Sequence, residues 1–171
     1  MLRLILAFVE ISFHRRSPAD LPASRAFFLA VFVVYFAVGL VSTRWLQIGK
    51  YPELMVAFET ALGLAFIWSV LHLFQRERRF RQTAVAMLGA DTFLNLLTVP
   101  LLIWHASLHA KPGETTVPYL LFVLVGIWSV DVSAFILSRA LERPYVLTIA
   151  LMLGYVLFSI SVDATLFATP K

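Results

Sequence analysis

Cysteine is absent and charge is scarce. Without a thiol the chain has no disulfide, no thiolate nucleophile and no cysteine-held metal. Asp, Glu, Lys and Arg make up only 14% of the 171 residues, whereas 60% are hydrophobic. A soluble domain of this size leaves too much of its surface in water to hide so many apolar side chains; a bilayer removes that difficulty. The phosphate loop G-x-x-x-x-G-K-S/T, a Gly-rich dinucleotide turn and a G-x-S-x-G elbow are also missing. No histidine pair lies inside an apolar run, as a haem-binding subunit would need. The expectation is a protein that is not an enzyme and takes no cofactor.

What is present is a set of long apolar runs. Five span about 25–42, 51–74, 83–104, 117–138 and 145–167. Each reaches the roughly 20 residues that a helix needs to cross a hydrocarbon core. Inside that core every backbone polar group must be paired within its own segment, so the runs are read as helices. Pro52, Pro118 and Pro144 mark three of the starts, where a proline loses no hydrogen bond and already has a helical φ. The fold class predicted is all-α: one polytopic membrane bundle of five transmembrane helices, residues 1–171, with no separate soluble domain.

The basic residues set the orientation. Arg3, Arg15, Arg16 and Arg25 precede the first span, Arg76, Arg78, Arg79 and Arg81 follow the second, and Arg139 and Arg143 follow the fourth. The alternate connections and the tail hold Arg44, Lys50, Lys111 and Lys171, so the split is ten against four. Cytoplasmic loops retain Lys and Arg, which puts the N-terminus in the cytoplasm and the C-terminus in the periplasm of a bacterial inner membrane. Trp45, Tyr51, Trp104 and Tyr119 then fall at the outer interface and Tyr145 at the inner one. The formal net charge of +4 is distributed between spans, a pattern suited to anionic headgroups rather than to nucleic acid.

Residues 1–16 begin with an apolar stretch too short to span. Glu10 interrupts it, and no small-residue cleavage site precedes Arg15-Arg16, so a signal peptide is disfavoured. An amphipathic helix in the inner interface is expected, with Arg3, Glu10 and Arg15 toward water. Two short phrases recur in order: Ile67-Trp68-Ser69-Val70 as Ile127-Trp128-Ser129-Val130, and Thr83…Met87-Leu88-Gly89 as Thr148…Met152-Leu153-Gly154. A parallel hairpin repeat would produce this, as would chance among common membrane residues.

Four acids lie inside spans without a Lys or Arg beside them: Glu59, Asp91, Asp131 and Asp163. A carboxylate there costs several kcal/mol unless paired, hydrated or protonated, which makes each a functional candidate. Asp91 and Asp131 lie about nine and seven residues from the arginine-rich ends of their spans, at similar depth at about 1.5 Å per residue. An inner pair Asp91/Asp131 and an outer pair Glu59/Asp163 would suit proton movement; the alternative is protonated, hydrogen-bonded glue between helices. Asp91, Asn95 and Thr98 share one helical face, as do Thr148, Met152, Tyr155, Ser159 and Asp163. Pro100 frees a carbonyl one turn earlier in the third span, and His72 is placed to neutralise Asp91 or Asp131. Ala57, Ala61, Ala65 and Ser69 form a small-residue ridge, expected to pack inside the bundle rather than to serve as an oligomer face. His105 and His109 have i, i+4 spacing near Glu114, a weak metal signal set against ordinary interfacial histidines, and no metal is expected.

Arg79-Phe80-Arg81-Gln82-Thr83-Ala84 at the start of the third span, the five-span layout, and the basic, proline-containing N-terminal segment make the chain similar to bacterial members of the Yip1-like membrane family. The D-L-Y/W-G-P element of eukaryotic members is missing. The resemblance implies a non-enzymatic helical membrane protein that organises the membrane or binds a partner; no motif here carries the family's trafficking or small-GTPase contacts to particular residues. Arg15, Arg16, Arg76, Arg78, Arg79 and Arg81 are the residues expected to meet anionic lipid on the cytoplasmic side, or a protein partner or second copy. Two other functions stay open: a small proton-coupled transporter or channel using the intramembrane carboxylates, and an accessory subunit of a larger complex.

Overall fold

The structure is a computed structural model in which residues 2–46, 51–108 and 115–166 are described. They form helices α1 (Leu2–Ser12), α2 (Arg25–Trp45), α3 (Pro52–Leu73), α4 (Phe80–Ser107), α5 (Val117–Leu141) and α6 (Tyr145–Leu166), with single 3-10 turns at Pro18–Asp20 and Glu77–Arg79. No strand occurs among the described residues. The five helices α2 to α6 are long and apolar enough to cross a membrane, so this is an integral membrane protein by length and composition.

Local chemistry accounts for the helix ends. The Ser24 side chain caps α2 by accepting from the Phe27 N–H at 3.1 Å. Pro52 opens α3 and Pro118 sits in the first turn of α5. Past α1, α3 and α5 the chain turns through left-handed residues, His14 (φ 58°), Gln75 (φ 58°) and Glu142 (φ 56°). Observed ends fall within about a turn of those expected: α2 and α5 run about one turn further at their C-terminal ends and α4 about one turn further at both ends.

Helix α4 is the hub, packing against α1, α2, α3 and α5, while α6 packs chiefly on α5. Every residue from Thr83 to Ala90 is buried, so this stretch in the first half of α4 is covered on all sides. That is possible because the run is largely small: Thr, Ala, Val, Ala, Met, Leu, Gly, Ala. Small side chains let neighbouring backbones approach, and dispersion contacts replace the hydrophobic drive that lipid cannot supply.

The N-terminal helix is part of this packing. Ala7, Ile11 and Ser12 are buried against α4 and α5, Glu10 and Arg15 are exposed, and the Arg3 side chain lies outside the described residues. The helix ends at Ser12, before the expected residue 16, because His14 turns back toward the bundle. The Trp128 indole N–H donates to the Ser12 carbonyl at 2.9 Å. The Phe8 ring lies directly on Gly89, where an added Cβ would meet ring carbons at 2.2 Å.

Two expectations change. The ridge Ala57, Ala61, Ala65 and Ser69 is exposed on all four residues instead of packed internally. The side of α3 turned to the bundle carries Val56, Thr60, Ile67, Val70 and Leu71, whose larger side chains are buried against the neighbouring helices. The repeated phrases occupy unlike surroundings: Ile67 is buried and Ile127 exposed, and Gly89 is covered by Phe8 whereas Gly154 faces open space.

Gly89→Val is expected to lower resistance to unfolding in SDS by about 1–3 kcal/mol through overpacking, and Phe8→Ala in the same chain should recover most of that loss. A double variant no more stable than Gly89→Val alone would show that the ring is not what the glycine accommodates.

Candidate intramembrane acid site

Where the packed half of α4 ends, a cavity begins. Asp91 follows Ala90 directly and lines a space of about 280 Å³ with Tyr35, Asn95, Thr98 and Ser129. A smaller void of about 70 Å³ on its other side is lined by Tyr35, Asp91, Glu59, Thr60, Gly63 and Tyr155. Asp91 and Tyr35 border both. Among the described residues, no lysine or arginine lines either space.

The polar groups here come from every spanning helix. From α5, the Ser129 hydroxyl donates to Asp91 Oδ1 at 3.3 Å. From α2, Ser42 donates to Asn95 Oδ1 at 2.9 Å, and Tyr35 lines the smaller void together with Thr60 of α3. From α6, Tyr155 stacks on Phe66 at 4.5 Å and sets its hydroxyl beside Gly63, 3.3 Å from where a Cβ would stand. Tyr155 lies within electrostatic reach of Asp91, Glu59 and Asp163, and Glu59 within reach of Asp163. Asp163 Oδ1 is buried without a hydrogen-bond partner among the described residues. Asp91 and Glu59 thus line one region, reached by the i, i+4, i+7 stripe on α4, while Asp163, on the Thr148-to-Asp163 stripe of α6, borders neither space and lies only within electrostatic reach of Glu59 and Tyr155.

Asp131 does not join them, and the expected Asp91/Asp131 pair is not formed. Ser129 takes the position on α5 that faces Asp91, and Asp131, two residues on, points to the opposite side of the helix. There it accepts from the Tyr145 hydroxyl at 2.5 Å and meets His14 Nε2 at 3.2 Å, while the His14 ring stacks on Phe135 at 4.2 Å. His72 neutralises neither aspartate: it contacts Glu77 at 2.8 Å and stacks on Trp68. His105 Nδ1 hydrogen-bonds Thr116 at 2.5 Å; His109 and Glu114 lie outside the described residues, among which no metal-binding group of three ligands occurs.

The six arginines expected at one surface divide into two sets. Arg76 and Arg79 are both tied to Glu142, and Arg79 also donates to the carbonyls of Arg139 (3.2 Å) and Ala140 (3.0 Å). This clasp joins the α3–α4 connection to the α5–α6 connection. Arg16 is paired with Glu10 at 3.4 Å and Asp20 at 3.8 Å. Arg15, Arg78 and Arg81 are exposed and have no carboxylate partner among the described residues.

Tyr35, Thr60, Gly63, Ser129 and His14 were not singled out from sequence. Tyr35 had a readable signal: a tyrosine ten residues into a span, far from the interface where tyrosines collect. His14 and Ser129 had none, since their roles depend on which helix faces them. Comparison with protein-family models, curated proteins and solved structures finds no match.

The Arg79 hydrogen bond, with the Arg76 charge beside it, holds the Glu142 carboxyl below the usual glutamate range. A carboxyl lowered in the folded state adds stability above its unfolded pKa, and the gain fades as pH falls through the folded value. The parent chain is therefore expected to resist SDS unfolding slightly better than Glu142→Gln at neutral pH, the exposed pair being screened, and the difference should close in acid. A difference that persists unchanged at acid pH would show that the clasp does not act through the ionised carboxyl.

Proposed function

We propose that the chain is a non-enzymatic protein of the bacterial inner membrane that takes up and releases protons or one small cation at the Asp91–Glu59–Asp163 region. In this reading the N-terminus and the arginine-rich helix ends are cytoplasmic, the C-terminus is periplasmic, and α1 lies at the inner interface. The observation that carries it is the pair of adjoining cavities bordered by Asp91, Glu59, Tyr35 and Tyr155, with no basic residue in their lining among the described residues. Carboxylates in a hydrocarbon-embedded site require compensation. With no fixed cation among the described residues that line the two spaces, that compensation comes from protons or a mobile ion, and Tyr155, within reach of all three acids, is the bridge between them. Ser129 and Thr60 orient the two ends of the path, and Asp131 has no part in it, because Tyr145 and His14 occupy both of its oxygens.

Purified chain in liposomes carrying an internal pH dye should dissipate an imposed pH gradient, with Asp91→Asn reducing the rate tenfold or more and Asp131→Asn leaving it within about twofold. Absence of flux in the parent, or equal flux in Asp91→Asn, removes the transport reading.

A second reading, lipid or partner binding of the Yip1-like kind, is favoured by the three exposed arginines Arg15, Arg78 and Arg81. Copurification of a stoichiometric acidic partner that is lost on neutralising these three would support it; recovery of the chain alone, with the neutralised form fully functional in cells, would count against it.

A further inference from the structure

A separate cavity of about 350 Å³ opens at the arginine-rich end of the bundle, between the Pro18–Asp20 turn, the start of α4 and the end of α5. It shares no lining residue with the acid-bordered spaces. Its charged walls are Arg79, Arg139 and Glu142. Glu142 is already matched by Arg79 and, from outside the cavity, by Arg76, so positive charge is in excess.

The two guanidinium groups differ in how they are held. Arg79 is anchored by two backbone carbonyls and a carboxylate, which fixes its plane before any ligand arrives. Arg139 lies over the Phe135 ring at 5.3 Å and has no carboxylate partner among the described residues. Opposite them the Gln82 amide donates to the carbonyls of Ala19 (3.2 Å) and Leu21 (3.1 Å), tying the Pro18–Asp20 turn down as a wall. The volume equals roughly a dozen waters, enough for a phosphate with part of a glycerol. An anion with several acceptor oxygens is what a planar guanidinium fork matches best.

We infer that this cavity binds a phosphate group, that of a membrane phospholipid, with Arg139 as its principal contact and Arg79 as a preoriented second donor. The assignment of the phosphate to a lipid rests on the reading that this end of the bundle lies at the inner headgroups; the phosphate chemistry itself does not.

The test is native mass spectrometry of the full chain in detergent, titrated with phosphatidylglycerol. The parent should retain one lipid. Arg139→Gln should weaken retention about tenfold or more, and Arg139→Lys, which keeps the charge without the fork, should weaken it less. Arg44→Gln, which removes the same charge at the opposite end, should leave retention within about twofold. Equal retention by the parent and both Arg139 variants overturns the proposal; Arg139→Lys decides the matter should Arg139→Gln fail to fold. Displacement of the lipid by inorganic phosphate would assign the cavity to free phosphate, and resistance to displacement would assign it to the phospholipid. Labelling of Arg78→Cys in intact cells by a membrane-impermeant maleimide would defeat the inner-side reading alone.

Discussion

Close packing around the first half of α4 is the constraint on which the other features depend. From Thr83 to Ala90 that helix has no free side, and α1, α2, α3 and α5 are positioned by how near they can come to it. In lipid, association relies on shape and dispersion rather than on expelling water, so the small residues of this run set the interhelical distances. Phe8 on Gly89 is the tightest instance: the aromatic ring occupies the place a side chain would take, and so joins α1 to the core. The packed region stops at Ala90. One residue later the side chain is a carboxyl, and it lines the polar cavity.

Charge is divided along the same axis. At the arginine-rich end, Arg16, Arg76 and Arg79 meet carboxylates or carbonyls, and the Arg76–Glu142–Arg79 clasp joins two connections far apart in sequence. These pairs are exposed and individually weak; they align helix ends that apolar packing has already brought together. In the middle of the bundle the balance is reversed, with carboxyls and tyrosine hydroxyls gathered and, among the described residues, no basic side chain lining the space. One end of the molecule is thus suited to anions and its interior to protons or a cation, and the two regions share no wall.

The helices were legible because their signals are local. A run of apolar residues, a proline at its start and an arginine cluster at its end each act within a few residues of the chain, so α2 to α6 fall close to where composition puts them. The grouping of Asp91 with Asn95 and Thr98 was legible for the same reason, since helical periodicity places them on one stripe. What failed was facing. Equal depth for Asp91 and Asp131 was a sound inference from rise per residue, but depth does not specify rotation, and Ser129 occupies the side of α5 on which Asp131 was expected. The ridge on α3 failed likewise: small residues permit close approach without requiring it, and the larger residues on the adjoining face took the contact.

By itself, then, the order of residues determined that the chain is a membrane protein, how many times it can cross, which connections are basic, and which polar groups lie within the spans. Those properties follow from the free energy of moving each segment between water and hydrocarbon, a sum over the segment's own residues. The tertiary structure alone decided that α1 is packed against the bundle, that Asp91 lines one void with Tyr35, Glu59 and Tyr155 while Asp131 meets Tyr145 and His14, and which arginines are already paired. Each of these depends on the rotation of one helix against another, which is set by the side-chain volumes of both and is written in neither.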